Sequence, residues 1–304
     1  MGGIVRRIII VVSAFTLLES CGVEETDFEL VASGYAESGA KYRALKAGFE
    51  AYRLRRAASA RKHLGWAVNH GVLHPVVLYK LAVVTRITGG TRQAGALFRQ
   101  AGRLFARRKL QHRYAAWSWI GAGNLAYRNK EYKKAEELYL KAYGIAPADP
   151  KVINRLAKVY FITRRYRPVI AFLLKGRRGE FKNDLLLSDA YLKLKRYHPV
   201  VSLLEPYYKG GDTAMPVLMN LGLACMGLAK QQEGKKDYQK AYRFALRGRG
   251  FFEQTVLRLK SRDEPFVKRL SPSRLSYFKI RNREYRDFSR REVIRYERKI
   301  KGLS

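Results

Sequence analysis

Histidine and cysteine side chains could bind a metal or act as nucleophiles, but their spacing in this chain favours neither role. The five histidines are His63, His70, His74, His112 and His198. The closest pair, at 70 and 74, is separated by Gly71 and followed by Pro75, so we expect it in a turn and not on one helix face. Neither glycine pair, at 89–90 or 210–211, precedes the Lys-Ser/Thr of a phosphate-binding loop. The sequence therefore predicts no enzyme, no metal site and no cofactor.

Composition indicates a folded, strongly basic chain. Of 304 residues, 47% are hydrophobic, and 61 basic side chains against 25 acidic ones give a formal net charge of +36. A chain of this length allows about two domains or one repeat array. The charge favours acidic partners, which could be nucleic acid, anionic lipid, an envelope polymer or an acidic protein. The two cysteines, Cys21 and Cys225, are too few for a disulfide framework.

The N-terminal segment has the pattern of an export signal. Arg6 and Arg7 precede an apolar run from Ile8 to Leu18, which is too short to span a bilayer. The run ends Leu18-Glu19-Ser20-Cys21 and resembles the bacterial lipoprotein signal, in which the cysteine is lipidated and becomes the new N-terminus. Glu19 departs from that pattern. The alternatives are a signal anchor or a buried first helix, with Cys21 an incidental thiol.

We therefore predict a lipoprotein-type signal peptide at 1–20, lipidation of Cys21, and attachment to a bacterial membrane on its periplasmic or surface face. Residues 21–40 combine acidic side chains with Gly and Ser. We expect this stretch to be an acidic tether that spaces the body from the membrane and contributes nothing to the core.

One internal unit, 116–149, resembles a tetratricopeptide repeat. The matching positions are Trp119, Gly123, Tyr132, Ala135, Tyr139, Ala142 and Pro147. In such a repeat, small residues let the two helices of a hairpin approach closely, and large residues fill the space between hairpins. The resemblance implies that each unit is a pair of packed helices.

The same frame extends in both directions to six candidate repeats. They occupy 41–74, 75–108, 116–149, 150–180, 181–214 and 215–254, an array over 41–254. The predicted fold class is all-α, a right-handed superhelical solenoid of about six tetratricopeptide-like hairpins, with an irregular all-α bundle as the alternative. Residues 255–304 hold 16 basic and 6 acidic side chains. This segment is expected to be helical and to serve either as a cap on the last hairpin or as a basic binding arm.

The resemblance also implies a groove lined by the first helix of each hairpin. The residues at groove positions are Tyr52, Tyr79, Arg86, Trp117, Asn124, Tyr127, Lys151, Asn154, Lys158, Phe161 and Lys182. Only two of five positions match the family's clamp for a C-terminal carboxylate, so we expect an acidic or amphipathic helical ligand instead.

These features predict a non-enzymatic scaffold that binds another protein, anchored to the membrane by lipid, as an adaptor in an envelope assembly or transport system. Because an exported protein does not ordinarily meet nucleic acid, we do not expect nucleic acid as its ligand. The alternative is a binder of an anionic polymer or surface, either nucleic acid, anionic lipid or glycan, through the +36 charge.

Overall fold

The computed structural model describes residues 24–110, 113–176, 180–211, 214–260 and 272–302. The predicted signal peptide and Cys21 lie outside these ranges. The described residues form α-helices and no strand. The helices are α1 Glu24–Ala32, α2 Ala40–Arg53, α3 Ala57–Asn69, α4 Pro75–Ile87, α5 Thr91–Arg107, α6 Arg113–Arg128, α7 Tyr132–Ile145, α8 Pro150–Ile162, α9 Tyr166–Lys175, α10 Phe181–Lys193, α11 Tyr197–Lys209, α12 Met215–Gly234, α13 Tyr238–Lys260 and α14 Pro272–Ile300.

Three-residue turns join the two helices of each hairpin and share one backbone feature. The middle residue of each turn has a positive φ: Arg55, Gly89, Lys130, Arg164, Lys195 and Lys236. A left-handed residue reverses the chain within three residues, and glycine adopts this conformation without a steric penalty. Five of the six turns nevertheless place a basic side chain there, each at a cost of about 1–2 kcal/mol.

The chain divides into two compact units, residues 1–159 and 160–304, called here the N-terminal and C-terminal units. In the N-terminal unit the hairpins α2–α3, α4–α5 and α6–α7 are packed pairs, and each hairpin packs on the next. The first helices begin at residues 40, 75 and 113, compared with predicted repeat starts at 41, 75 and 116.

Close glycine–aromatic contacts hold these hairpins together. A Cβ added at Gly123 would lie 2.5 Å from Cε1 of Tyr139, and one added at Gly102 would lie 2.6 Å from Cε2 of Trp119. Ala135 and Ala142 are fully buried in the same hairpin. The remaining repeat positions are peripheral, since Tyr132 is half-buried and Pro147 is exposed in the loop after α7.

The predicted acidic tether at 21–40 is wrong for its central part. Residues Glu24–Ala32 form α1, and Asp27, Val31 and Ala32 are buried. The physical reason is that Asp27 pairs with the buried ammonium of Lys80 in α4, at 3.1 Å. An acidic stretch that finds a buried cation becomes part of the core and does not remain a spacer.

The C-terminal unit contains α9–α14. Its helices α10–α11 and α12–α13 pair as the first hairpins do, with first helices beginning at residues 181 and 215. Helix α13 runs to Lys260, past the predicted end of the repeats at 254. Val293 and Tyr296 of α14 pack into a cluster with Ala229, Ala241 and Ala245, so α14 covers the apolar face of the last hairpin.

Within the described ranges, no helix is long and apolar enough to cross a membrane.

Candidate functional site

Six residues of the predicted groove lie on α6 and α8 within the N-terminal unit, and each keeps part of its surface accessible. Asp149 starts α8, since its Oδ1 accepts a hydrogen bond from the backbone N–H of Lys151 at 2.7 Å and Pro150 occupies the first turn. Residues 117, 124 and 127 share one face of α6, and residues 151, 154 and 158 share one face of α8, because side chains three, four or seven positions apart align on a helix. We call these six residues the α6–α8 row.

A cation–π contact joins the two helices of this row. The ammonium of Lys151 lies 4.7 Å from the ring centroid of Trp117, which is half-buried. Lys151 itself is exposed, as is Lys158 about two turns further along α8. The contact leaves part of an aromatic face beside two exposed basic side chains, an arrangement that suits an acidic segment with an apolar side.

The two asparagines of the row, Asn124 and Asn154, supply polar groups between the aromatic and basic side chains. Asn124 Oδ1 accepts a hydrogen bond from the hydroxyl of Tyr139 at 2.8 Å. Asn154 Oδ1 is buried and has no hydrogen-bond partner among the residues that the structure describes. Buried acceptors are nearly always paired, so Asn154 is ready to accept a hydrogen bond from a ligand N–H.

Tyr127 ends the row on α6. Its ring is half-buried and packs edge to face against Tyr132 at 5.6 Å. Burial raises the pKa of its hydroxyl, an effect that Arg155 partly opposes. The hydroxyl therefore stays protonated at neutral pH and can both donate and accept hydrogen bonds.

Two predicted groove residues belong to the core instead. Tyr52 is 2% exposed and Tyr79 is 7% exposed, and the ring of Tyr79 stacks on Tyr114 at 4.3 Å. Burial raises the pKa of Tyr79. The prediction that these two positions are accessible was wrong because neighbouring side chains cover both rings: Tyr79 packs against Phe98 and Tyr114, and the ammonium of Lys80 lies over Tyr52.

The other predicted positions do not join the row. Arg86, on α4, is half-buried, and burial together with the nearby charge of Arg128 lowers its guanidinium pKa. Phe161 and Lys182 lie in the C-terminal unit. Phe161 is half-buried and contacts Tyr166 edge to face at 5.5 Å, whereas Lys182 is exposed.

Sequence reasoning missed a second constellation, centred on Lys80. Its ammonium lies 4.4 Å from the ring centroid of Tyr52 and 3.1 Å from Asp27 Oδ2. The hydroxyl of Tyr114 donates to the same carboxylate oxygen at 2.7 Å, and Arg113 lies 3.5 Å from it. The available signal was a lone lysine inside the apolar run of α4, PVVLYKLAVV, since a buried lysine requires an anionic or aromatic partner.

The histidine pair occupies a turn, as its spacing predicted. His70 stacks on Trp66 at 3.7 Å, and His74 caps α4 by accepting from the backbone N–H of Val76. Over the described part of the chain, no group of three or more His, Cys, Asp or Glu side chains could hold a metal ion.

Comparison with known proteins agrees with this geometry. The profile of the tetratricopeptide repeat matches residues 118–149, which coincide with the hairpin α6–α7. The chain therefore contains a tetratricopeptide repeat at this hairpin. The predicted all-α class, built from tetratricopeptide-like hairpins, is thereby confirmed. A fold of this kind supports protein–protein interaction.

Several solved structures are similar to this chain. YrrB, described as a tetratricopeptide-repeat protein with an unusual peptide-binding site, is 14% identical, with a TM-score of 0.49 over 62% of this chain and 91% of that one. PilF of Pseudomonas aeruginosa is 18% identical, with a TM-score of 0.47 over 68% and 89%. A tetratricopeptide-repeat protein from Parabacteroides merdae is 11% identical, with a TM-score of 0.49 over 80% and 98%. No curated protein is significantly similar in sequence.

Proposed function

We propose that this tetratricopeptide-repeat protein is a non-enzymatic adaptor that binds an acidic, partly apolar segment of another protein along the α6–α8 row. The observation that carries the proposal is the unpartnered, buried Oδ1 of Asn154, which lies on the same helix face as Lys151. A ligand N–H would satisfy this acceptor, while Trp117 and Tyr127 offer apolar surface. Lys151 and Lys158 supply the positive charge that steers an acidic segment.

Site-specific photo-crosslinking in native membranes tests the row. A photoreactive phenylalanine at position 127 should capture a partner protein, whereas the same group at Lys133, exposed on α7, should not. With the partner purified, Trp117→Ala or Tyr127→Ala alone should weaken binding by about thirtyfold, and the two together by several hundredfold, since aromatic anchors contribute about 2 kcal/mol each. The control, Arg290→Ala with Arg291→Ala on α14, should change the affinity little. Equal capture from both positions, or the opposite ranking of the two variant pairs, would contradict the proposal.

The adaptor is exported and held on a bacterial membrane, at its periplasmic or surface face, by lipid on Cys21, and it serves an envelope assembly or transport system. What supports this part is the sequence alone: the Arg6-Arg7 pair, the apolar run to Leu18, and the ending Leu18-Glu19-Ser20-Cys21. Intact mass and detergent phase partitioning should show lipid on the wild type and on Cys225→Ala, and none on Cys21→Ala. A wild-type chain without lipid mass would refute the anchor but leave the row untouched.

A second function, binding of an anionic polymer or surface, is favoured by the basic hairpin turns. Arg164, Lys195 and Lys236 in the C-terminal unit, like Arg55 and Lys130 in the N-terminal unit, are exposed in a strained backbone conformation that glycine would adopt more easily. Arg164→Gly with Lys195→Gly should preserve stability and weaken polyanion binding. Binding that weakens steeply with salt and follows these two residues would favour this function over the adaptor.

A further inference from the structure

Helix α1 lies across the first helices of three successive hairpins, all within the N-terminal unit. Phe28 contacts Tyr42 and Phe49 of α2 edge to face, with ring centroids 5.5 and 5.6 Å apart. Asp27 reaches Lys80 of α4 and Tyr114 of α6. These first helices are the ones that line the expected groove, so α1 occupies the position in which a ligand helix would lie.

The chemistry of α1 matches what the site requires. The ammonium of Lys80 is 1% exposed and lies within 5.5 Å of the ring centroids of Phe49, Tyr52 and Tyr114. A buried cation that loses its carboxylate is strongly destabilising, so whatever covers this site has to bring an anion to the same depth. Asp27 comes from outside the hairpins, and the aromatic ring next to it in sequence fills the neighbouring space. The site thus specifies a carboxylate adjacent to an aromatic residue on a helix.

Several features make α1 separable from the hairpins. A helix of nine residues is marginal on its own, and α1 is joined to α2 through Gly34 and Gly39 in a short linker. Its C-terminal end borders an open cavity of about 340 Å³, where Leu30 and Leu73 are each 48% exposed. The packing of α1 is therefore tight around Asp27, Val31 and Ala32, whereas Leu30 faces the open cavity.

We infer that α1 is an intramolecular ligand, and that the surface around Lys80 is a second protein-binding site whose partner displaces α1 with a helix carrying an acidic residue next to an aromatic one. This inference rests on the proposed function only in that the displacing helix belongs to another protein. The partner has to replace the carboxylate of Asp27 at Lys80 and the ring of Phe28 between Tyr42 and Phe49. An acidic helix without the aromatic ring, or an apolar helix without the carboxylate, does not meet both requirements.

The test uses the full chain and a labelled synthetic peptide with the sequence of residues 24–33, EETDFELVAS. Asp27→Lys places a second positive charge beside Lys80 and should release α1, so the peptide should bind this variant at least tenfold more tightly than the wild type. Glu29→Lys makes the same charge change at an exposed position of α1 and should leave the affinity at the wild-type value. A scrambled peptide of the same composition controls for attraction by net charge. A peptide with asparagine at the position of Asp27 should bind the Asp27→Lys chain at least tenfold more weakly than the parent peptide.

Two further measurements keep the inference falsifiable if Asp27→Lys does not fold. In the wild type, hydrogen exchange should be faster in α1 than in α4, because a separable helix opens without global unfolding. In Asp27→Asn with Lys80→Met, the buried ammonium is gone and only the partly exposed Arg113 remains near the site, so the preference of the chain for the aspartate peptide over the asparagine peptide should fall at least fivefold below that of the Asp27→Lys chain. Exchange in α1 as slow as in α4, or a folded Asp27→Lys chain that binds the peptide no better than wild type, would overturn the inference. None of these results depends on the α6–α8 row, whose crosslinking test can succeed or fail separately.

Discussion

Replacing Gly123 with alanine should destabilise the N-terminal unit by about 1–3 kcal/mol. The added Cβ would lie 2.5 Å from Cε1 and 2.7 Å from Cδ1 of Tyr139, well inside ordinary contact distance. Tyr139 is 1% exposed, and its hydroxyl donates to Asn124 Oδ1, so the ring is held at both ends and cannot move aside without breaking that bond. Overpacking and the lost hydrogen bond, the latter worth about 1 kcal/mol, outweigh the gain of about 1 kcal/mol in helix propensity.

Urea unfolding followed by tryptophan fluorescence measures this effect selectively. All three tryptophans, Trp66, Trp117 and Trp119, belong to the N-terminal unit. Gly144→Ala is the matched control, because a Cβ at that position of α7 meets no atom within 4 Å. The control should leave stability unchanged or raise it by up to about 1 kcal/mol.

Tyr139→Phe removes the hydroxyl that holds the ring in place. In that background the cost of Gly123→Ala should fall by about 1 kcal/mol, since the ring can then shift. If Gly123→Ala were as stable as Gly144→Ala, or if the cost were the same in both backgrounds, the glycine–tyrosine contact would not limit the approach of α6 and α7.

Three other outcomes follow from single groups. Lys130→Gly relieves a φ of 63° and should stabilise the N-terminal unit by about 1 kcal/mol in the same urea assay, whereas Lys133→Gly, inside α7, should destabilise it by about as much. Burial raises the pKa of Cys225 to about 11, so mass spectrometry should find iodoacetamide labelling at pH 8 much slower in the folded chain than in urea. Partial burial acts to raise the pKa of Glu233, but hydrogen bonds from Lys299 and Tyr296 outweigh it and lower this pKa. The charge of Glu233 therefore stabilises the fold fully at pH values above its ordinary pKa of 4.5, and this stabilisation is lost as the pH falls through the lowered pKa. Glu233→Gln should accordingly lower the melting temperature at pH 7 and have little effect at pH 3.

The repeat frame could be predicted because its determinants are local. Gly123, Ala135 and Tyr139 lie within one hairpin, and the contact between a small residue and an aromatic ring recurs wherever two helices approach closely. Helix starts at 75, 150, 181 and 215 coincide with the repeat boundaries read from the sequence. Pro75 and Pro150 mark two of them directly, since proline is favoured in the first turn of a helix.

Which positions of the predicted groove are accessible could not be predicted in the same way. The burial of Tyr52 depends on contacts outside its own hairpin, such as the ammonium of Lys80 4.4 Å from its ring centroid. That ammonium in turn pairs with Asp27, more than fifty positions away along the chain. A repeat pattern assigns Tyr52 a face but not what covers that face. The acidic character of 21–40 predicts a solvated stretch, whereas the buried lysine in α4 pairs with one of these carboxylates, Asp27, and makes it a core residue.

Helix α1 lies directly after the proposed lipid anchor at Cys21, so displacing α1 from the hairpins would also change how the protein is held at the membrane. Only Gly22 and Val23 separate Cys21 from the first residue of α1. With lipid on Cys21, a docked α1 keeps the N-terminal unit within a few residues of the membrane surface. Displacement frees residues 22–39 as a tether of 18 residues, which spans up to about 60 Å when extended. A partner that takes the site around Lys80 would therefore also extend the reach of the α6–α8 row from the membrane, so that the first binding event sets how far away the second partner can be.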